Sequence, residues 1–210
     1  MILGIDTSLG TAVAAIARDG EVLADAHSSN PLGHAEVIGD LLRRVTLDAP
    51  APEHVAIGMG PGPFTGLRVG IATARVYALG RGIPVVPVPS HDGIALGLLL
   101  SDALTGTDSG RFAVVTDARR KEFAYSVYDG IDDDGLPVRV SDAQLSPRDD
   151  LDARLDAAGA RRYDATTVSA AMIALAAARA LDAGRTLAGP EPLYLRSPDV
   201  VAAHAPKRVS

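Results

Sequence analysis

The sequence predicts an α/β protein of two lobes, residues 1–104 and 105–210, each built from a mixed sheet flanked by helices. Short apolar runs bounded by glycine, proline or acidic residues alternate with longer segments of helical period. The first lobe has the order β-β-β-α-β-α-β-α, and strands that alternate with helices form a sheet covered by helices. A polar stretch, Thr105–Gly110, separates this order from a partial repetition of it.

The chain opens with three apolar runs, Met1–Asp6, Thr11–Arg18 and Glu21–Ser28. The second and third runs are joined by Asp19-Gly20, which suits a tight hairpin because glycine accepts a positive φ. We therefore expect an antiparallel meander of three strands at the start of the first lobe.

The first helix is predicted to begin at His34. Ile38, Leu41, Leu42 and Val45 follow at i, i+3, i+4 and i+7, so one face of this helix is apolar. Prolines a few residues further on cannot continue a helix and are expected to end it.

Two strand–helix pairs complete the first lobe, and the second lobe is predicted to contain two strands, two helices and an extended tail. The expected boundaries are strand His54–Gly60, helix Phe64–Arg81, strand Ile83–Val88, helix His91–Leu104, strands Phe112–Thr116 and Glu122–Tyr128, helices Arg148–Ala158 and Val168–Ala183, and the tail Glu191–Pro198. Ser146-Pro147 predicts a serine N-cap and a proline at the first helical position, and Gly184 is expected to end the last helix.

Composition excludes several functional classes. There is no cysteine, so neither a disulfide nor a thiolate metal site can form. The formal net charge is -6, with 26 acidic and 20 basic residues, which argues against an extended phosphate-binding face because nucleic-acid affinity rests on clustered Lys and Arg. The N-terminus lacks the basic opening of a secretory signal, and the apolar runs are shorter than the about 20 residues that span a bilayer. We expect a cytoplasmic protein that meets nucleic acid only through partners.

The tripeptide Asp6-Thr7-Ser8 follows the first strand and consists of a carboxylate and two small hydroxyl residues. Backbone N–H groups in such a turn can hold a phosphate, and the carboxylate could lie near a metal ion. For so short a motif, the favoured alternative is that these side chains bond the local backbone and set the hairpin.

The loop Gly60–Pro63 leads into a helix whose free N–H groups favour anions. No Lys-Ser or Lys-Thr follows its glycines, so it is not a Walker A motif, and a tight strand-to-helix connection explains it better. In the helix, small residues recur at every fourth position, although each glycine costs about 1 kcal/mol relative to alanine. This stripe, Gly66, Gly70, Ala74 and Ala78, packs closely either on its own sheet or on another chain.

Two further groups of polar residues could carry chemistry. The charged run Asp117–Glu122 could bind a partner or RNA phosphates, although a solvated hairpin turn is the commoner explanation. No two of the five histidines, His27, His34, His54, His91 and His204, have the i, i+4 spacing that places two metal ligands on one helix face. There is also no G-x-S-x-G motif for a serine nucleophile.

Several segments, in order along the chain, resemble the TsaB (YeaZ) family: IDTS at 5–8, HAEVIGDLL at 34–42, MGPGPFTGLRVGIATA at 59–74, TDARRKE at 116–122 and PLYLR at 192–196. The resemblance implies two lobes of the actin-like, ribonuclease-H-like superfamily. It also implies a role in forming N6-threonylcarbamoyladenosine at position 37 of bacterial tRNAs. In that role the chain would be a non-catalytic scaffold that binds the related catalytic subunit TsaD, joined by the ATPase TsaE.

The resemblance also implies which residues carry the function. TsaD has a metal-binding H-x-x-x-H, whereas the matching helix here has only His34, with Ile38 four residues on. No catalytic residue, no metal and no tightly bound cofactor are therefore expected, and ATP or ADP is left open at the interface of the complex. Family members dimerise, or bind TsaD, through their first two helices. The implied interface residues are His34, Val37, Ile38, Leu41, Val45, Arg68, Gly70, Ile71 and Ala74, and Asp6, Thr7 and Ser8 are implied to be a vestigial nucleotide site.

Two segments depart from the family pattern. The span between Ala158 and Val168 is short, so a strand there is predicted to be missing or irregular. The loop Ser28–Gly33 lacks a basic residue expected before the first helix.

Three other functions stay open: an ATP-dependent transferase that uses Asp6, a glycoprotease-like peptidase, and a tRNA-binding module, which the net charge disfavours.

Overall fold

The structure is a computed structural model and describes residues 1–29 and 33–196. Its strands are β1 (Ile2–Asp6), β2 (Thr11–Ile16), β3 (Val22–Ser28), β4 (His54–Gly58), β5 (Val85–Val88), β6 (Arg111–Asp117), β7 (Glu122–Ile131), β8 (Pro137–Arg139), β9 (Gln144–Pro147) and β10 (Arg161–Asp164). Its helices are α1 (His34–Thr46), α2 (Phe64–Arg81), α3 (Ser90–Thr105), α4 (Leu151–Ala157) and α5 (Ala170–Asp182), and a 3-10 turn, Arg148–Asp150, precedes α4.

The first sheet has the strand order β3-β2-β1-β4-β5. The predicted meander is confirmed: β1 pairs antiparallel with β2, and β2 pairs antiparallel with β3. The other neighbours, β1 with β4 and β4 with β5, are parallel. Every residue of β1 and β2 is buried, as expected for strands covered on both faces. The apolar residues of α1 and α2 form one core cluster against this sheet.

The second sheet has the order β10-β6-β7-β8, and β9 also pairs with β7. One apolar cluster contains buried side chains of both sheets and of α3 and α5, so these two helices lie between the sheets. A separate cluster joins α4 to β6 and β7. The predicted class, α/β with mixed sheets flanked by helices, is confirmed.

Helix α5 belongs to the second half of the sequence but packs on the first sheet. A Cβ at Gly4 of β1 would collide with the carbonyl oxygen of Ala170, so glycine is required for this close approach. The two halves of the chain therefore share one core, and the division at residues 104 and 105 stays a prediction.

The second half contains most of the errors in the predicted secondary structure. Ser146 is not an N-cap: it lies buried in β9, and the residues from Arg148 to Asp150 form a 3-10 turn before α4 begins. The strand expected to be missing or irregular after Ala158 is present as β10, which pairs in regular parallel register with β6. Neither β8 nor β9 was predicted.

The predicted helix ends are better supported. Helix α2 has the predicted bounds and ends at Gly82, whose φ of 65° is left-handed. Ser169 caps α5 by accepting a hydrogen bond from the backbone N–H of Met172.

Among the described residues, no helix is long and apolar enough to cross a membrane. The loop Ser28–Gly33, which lacks the expected basic residue, includes residues 30–32, and these residues, His204 and the end of the predicted tail lie outside the described residues.

Candidate functional site

Three loops meet where the parallel strands of the first sheet end. Asp6 is the last residue of β1, Gly58 is the last residue of β4, and Ser90 begins α3 just after β5. Because β1, β4 and β5 are parallel, their carboxyl ends lie at one edge of the sheet, which is where open α/β sheets bind ligands. The tripeptide Asp6-Thr7-Ser8 is therefore placed where a functional site would be expected.

The carboxylate of Asp6 is enclosed by hydrogen bonds from its own chain. Its Oδ1 accepts from the backbone N–H of Ser8 at 2.7 Å and from the Ser8 hydroxyl at 2.6 Å. Its Oδ2 accepts from the Ser90 hydroxyl at 2.6 Å, and a Cβ at Gly58 would collide with the same oxygen. Ser90 Oγ in turn accepts from the N–H of Gly60 at 3.0 Å. The carboxylate thus ties three loops together.

Burial dominates the electrostatics of Asp6, which is 1% exposed. Desolvation raises the pKa of its carboxyl above the ordinary value, while the hydrogen bonds from Ser8 and Ser90 and the nearby His34 act in the opposite direction. Both oxygens already have partners, so the residue has the geometry of a structural anchor rather than of an open metal ligand.

Thr7 and the small residues of α2 interlock. The Thr7 hydroxyl donates to the carbonyl oxygen of Gly66 at 2.8 Å. A Cβ at Gly70, one helical turn further on, would collide with Oγ1 of Thr7. Because Gly66 and Gly70 have no side chains, the β1–β2 turn can pack directly against α2. Ala74 and Ala78, further along the stripe, pack against the first sheet. The stripe packs within the chain.

His34 begins α1 and is 6% exposed. Its Nδ1 lies 2.8 Å from Oγ1 of Thr11, and a Cβ at Gly66 would approach its Nε2 to 2.9 Å. Ile38, one turn further on, is buried in the apolar cluster between α1 and the first sheet. The histidine is thus held between the β2 strand and the start of α2, and no second histidine follows it on α1.

A cleft of about 670 Å³ lies beside this cluster. One wall consists of the Pro61–Pro63 loop and the first turn of α2, and His34 also borders it. A second part of the lining comes from the β6–β7 hairpin, including Thr116 and Arg119, and a third from Tyr194 and its neighbours. The cleft brings together four of the segments that the sequence analysis singled out.

The β6–β7 turn is the predicted charged hairpin, and its backbone is unusual. Arg119, Arg120 and Lys121 have φ values of 62°, 50° and 62°, a left-handed conformation that is uncommon for residues other than glycine. The turn is held by bonds from Arg119 N–H to Oδ1 of Asp117 at 2.8 Å and from Arg148 to the same carboxylate at 2.9 Å. Nothing in the sequence indicated this conformation.

Sequence reasoning also missed a buried polar network at the start of α3. His91 contacts Ser126 Oγ through Nδ1 at 2.9 Å and Thr116 Oγ1 through Nε2 at 3.0 Å. Asp92 accepts a bond of 2.7 Å from the Tyr128 hydroxyl. Burial lowers the pKa of His91 to about 3 and raises that of Asp92 to about 6. Together with Ser90, these residues fasten α3 to both sheets.

The predicted interface residues differ in their exposure in the single chain. His34, Ile38, Leu41, Val45, Gly70, Ile71 and Ala74 are all buried in the single chain, where they pack on the first sheet and on each other. In the single chain Arg68 is exposed and Val37 is half-buried, and the assignment of the whole set to an interface stays a prediction. Whether α1 and α2 contact a partner through their other faces stays a prediction.

The outer face of α2, defined here as Arg68, Ala72, Arg75, Val76 and Leu79, points away from the sheet. The spacing of these residues places them on one side of the helix, opposite the small-residue stripe. Val76 is 69% exposed and Leu79 is 82% exposed. Exposed apolar residues of this size on adjacent turns are typical of surfaces that meet another protein.

The C-terminal segment of the described chain, residues 187–196, runs along α2 and is called the strap below. The ring of Tyr194 packs against that of Phe64 at 4.7 Å, and the Tyr194 hydroxyl accepts from Nε of Arg68 at 3.2 Å. Leu193 donates its N–H to the carbonyl oxygen of Met59 at 2.8 Å. Arg196 pairs with Glu122 of β7. The strap therefore contacts both walls of the cleft.

The model of the family described as TsaD, tRNA N6-adenosine threonylcarbamoyltransferase, matches residues 21–138, more than half of the 210 residues. The chain belongs to the TsaD family. The match covers α1, α2, α3 and the β6–β7 hairpin, and it includes the residues of α1, of α2 and of the hairpin that line the cleft, whereas Tyr194 and its neighbours lie outside it.

Two individual relatives are consistent with this assignment. An uncharacterized protein of Mycobacterium tuberculosis is 37% identical over 153 residues, which cover 70% of this chain and 67% of the relative. The tRNA threonylcarbamoyladenosine biosynthesis protein TsaB of Escherichia coli is 30% identical over 131 residues, 60% of this chain and 54% of that protein. The resemblance to TsaB that the sequence motifs indicated is confirmed.

A solved structure shows the same fold. A protein of Pseudomonas aeruginosa, described as uncharacterized with similarity to peptidase YEAZ, superposes with a TM-score of 0.74 at 23% identity. The alignment covers 93% of this chain and 99% of that one. The predicted fold of the TsaD family member described here is thereby confirmed over almost the whole chain.

Proposed function

We propose that this chain is a non-catalytic scaffold subunit in bacterial tRNA N6-threonylcarbamoyladenosine synthesis, and that it binds and activates the catalytic subunit TsaD. Membership in the TsaD family and the similarity to TsaB support a role in this modification. In this proposal TsaE is a further partner, tRNA is met only through the complex, the chain pairs with itself when alone, and the site of action is the cytoplasm.

The observation that carries the proposal is that the buried carboxylate of Asp6 is hydrogen-bonded within the chain, to Ser8 and Ser90. Asp6 is 1% exposed and does not line the cleft, and both of its carboxylate oxygens already accept hydrogen bonds within the chain, Oδ1 from Ser8 and Oδ2 from Ser90. On α1, Ile38 fills the apolar core at the spacing where TsaD is expected to carry its second histidine. The residues that would do chemistry in a catalytic relative therefore hold the fold together in this chain.

The outer face of α2 supplies the surface for docking. It combines exposed apolar side chains with arginines, and it lies on the helix that the family resemblance associates with subunit contacts. The buried face of the same helix fixes its position on the sheet through the contacts of Gly66 and Gly70 with the β1–β2 turn. A rigidly seated helix is a favourable docking element because little order has to be gained on binding.

The proposal is tested by titrating the purified chain against the TsaD of the same organism in a calorimeter, and by assaying threonylcarbamoyl transfer to tRNA with and without the chain. We expect saturable binding, no transfer by the chain alone, and transfer by TsaD that depends on the chain. Absence of binding, together with TsaD activity that is indifferent to the chain, would exclude the scaffold role.

A competing function is an ATP-dependent transferase that uses Asp6, because the carboxylate lies at the ligand-binding edge of its sheet. Calorimetry of the isolated chain with Mg-ATP separates the two. The scaffold proposal expects no heat of binding and no turnover, whereas binding together with turnover that is lost in Asp6→Asn would favour the enzyme. A glycoprotease-like activity is tested in parallel by incubation with a glycosylated protein substrate.

A further inference from the structure

The strap begins at a fixed base and then has room to turn. Arg185, just before it, forms ion pairs of 2.5 Å with Asp132 and 2.9 Å with Asp134. The N–H of Arg185 also donates to the carbonyl oxygen of Ala180 in the last turn of α5, at 2.7 Å. Four residues further on, a Cβ at Gly189 would meet nothing within 4 Å. A held residue followed by an unhindered glycine is the arrangement of a hinge.

The backbone of the strap is tied to the rest of the molecule at few points. None of its residues, all of which the structure describes, lies in a helix or a strand. Leu193 donates its N–H to Met59, whereas the bond from the N–H of Tyr194 to the carbonyl oxygen of Pro192, at 2.9 Å, is internal to the strap. By contrast, the edge strand β3 is paired with β2 along its length. A segment with so few backbone bonds opens at a lower free energy than the sheets do.

The strap is attached mainly by side chains. Two arginines outside it donate to its carbonyl oxygens, Arg75 to that of Pro190 and Arg139 to that of Leu187, the latter at 3.4 Å. Leu193 and Tyr194 are only half-buried where they pack on the apolar cluster of the first sheet. Partly exposed contacts of this kind are individually weak because water competes for them.

Two of the side-chain contacts join different parts of the cleft lining. At α2, the Tyr194 ring packs on Phe64 and its hydroxyl accepts from Arg68. At the β6–β7 hairpin, Arg196 pairs with Glu122, the first residue of β7, and both side chains are 30% exposed. Helix α2 packs on the first sheet and β7 belongs to the second. The strap is therefore a bridge between elements that are carried by different sheets.

We propose that the strap is a latch: it detaches from α2 and from β7 by local opening while both sheets stay folded, and its detachment opens the cleft and frees the β6–β7 hairpin to move relative to α2. Tyr194, Leu195 and Arg196 line the cleft, so their departure removes part of the lining. The contacts that close the latch are also those that bridge α2 and the hairpin, so the two events are coupled. The latch is a property of the isolated chain and does not depend on the scaffold function.

Local opening is measured by native-state hydrogen exchange of the full-length chain, followed by NMR in increasing, sub-denaturing urea. We expect the amide of Leu193 to exchange faster than that of Ala177, which is buried in the middle of α5. Its exchange should also respond only weakly to urea, because little surface is exposed when the strap alone opens. Equal rates and equal urea dependence at the two amides would show that the strap opens only with the whole fold, and would overturn the proposal.

Variants of the two attachments test what closes the latch. We expect Arg196→Ala, which removes the ion pair, to speed exchange at Leu193 by about two- to fivefold, and Tyr194→Ala, which removes the ring contact and the hydroxyl, by about tenfold. Tyr194→Phe keeps the ring and should lie between Tyr194→Ala and wild type. The matched control, Arg111→Ala, removes the ion pair with Asp129 at the other end of the β6–β7 pair and should leave this exchange unchanged. Equal acceleration by the control would contradict the latch. Far-UV circular dichroism and melting temperatures establish that each variant is folded.

The coupling to the cleft is measured as a distance. The chain has no cysteine, so two introduced cysteines can be spin-labelled specifically. Thr65→Cys, in the first turn of α2, and Arg119→Cys, in the hairpin, place labels at two exposed positions that border the cleft. Double electron–electron resonance should give a longer and broader distance distribution when Tyr194→Ala and Arg196→Ala are added. An unchanged distribution, in a chain whose Leu193 exchange is accelerated, would show that the strap opens without releasing the hairpin, and the proposed latch would be wrong.

Discussion

Ser90 donates a hydrogen bond of 2.6 Å to Oδ2 of Asp6, and through it the first turn of α3 is tied to the end of β1. The same Ser90 oxygen accepts from the N–H of Gly60, so one hydroxyl satisfies two buried groups. Its removal would leave a buried carboxylate oxygen and a buried N–H without their partner.

We therefore expect Ser90→Ala to lower the free energy of unfolding by about 1–3 kcal/mol, the range typical of a buried polar group that loses its partner. Urea denaturation followed by circular dichroism measures the change. The control is Ser101→Ala, an exposed position on the same helix, which should change the stability by less than about 0.5 kcal/mol. Equal effects of the two substitutions would show that the Ser90–Asp6 bond has no special role.

The contact between Gly70 and Thr7 gives a prediction on α2. Gly70→Ala places a Cβ against Oγ1 of Thr7, and we expect a loss of about 1–3 kcal/mol, as for other overpacked sites. Gly80→Ala on the same helix meets nothing within 4 Å and should instead stabilise the protein by up to about 1 kcal/mol through helix propensity. Thermal melts of both variants decide the matter: a stabilised Gly70→Ala would contradict the observed packing.

The contrast between these glycines shows what the sequence could and could not predict. The bounds of α2 followed from its helical period and flanking proline and glycine, and the hydrogen bonding of Asp6 to Ser8 followed from the known habits of such residues in turns. The sequence did not predict which way the small-residue stripe faces, because small residues allow close packing on a sheet and on a partner equally well.

Other features depended on contacts between distant parts of the chain. Strand β10 is short and its sequence, RRYD, is polar, so only its pairing with β6 makes it a strand. The partners of His91 lie 25 and 35 residues away in sequence, and no local pattern announces them. The left-handed turn at Arg119–Lys121 contains no glycine, and the local sequence therefore gave no signal of it.

Asp92 gives the fold a predicted pH dependence. Burial raises the pKa of its carboxyl from 3.8 to about 6, against the opposing effect of Arg139. Between about pH 4 and 6 the folded protein keeps a proton that the unfolded chain has released, so this group's contribution to stability is full below pH 4 and is lost as the pH rises to 6.

The measurement is the difference in the free energy of unfolding between wild type and Asp92→Asn as a function of pH. This difference, wild type minus variant, should fall by up to about 3 kcal/mol from pH 4 to 6, because one pKa unit corresponds to about 1.4 kcal/mol. It should stay constant above about pH 7, where the carboxyl is ionised in both the folded and the unfolded chain. His91 is present in both proteins, so its opposite pH dependence cancels in the difference. Asp133→Asn, at an exposed position, serves as the control, and a pH profile of Asp92→Asn parallel to wild type would refute the assignment.

In the left-handed turn between β6 and β7, substitution by glycine is expected not to destabilise the fold. Lys121 has a φ of 62°, which costs about 1–2 kcal/mol for a residue with a Cβ and little for glycine. Lys121→Gly should therefore leave the melting temperature unchanged or raise it, although glycine normally destabilises a folded chain. Arg154 lies in helix α4, so Arg154→Gly should lower the free energy of unfolding by about 1 kcal/mol. A comparable loss of stability in both variants would mean that the turn does not hold Lys121 in the left-handed region in solution.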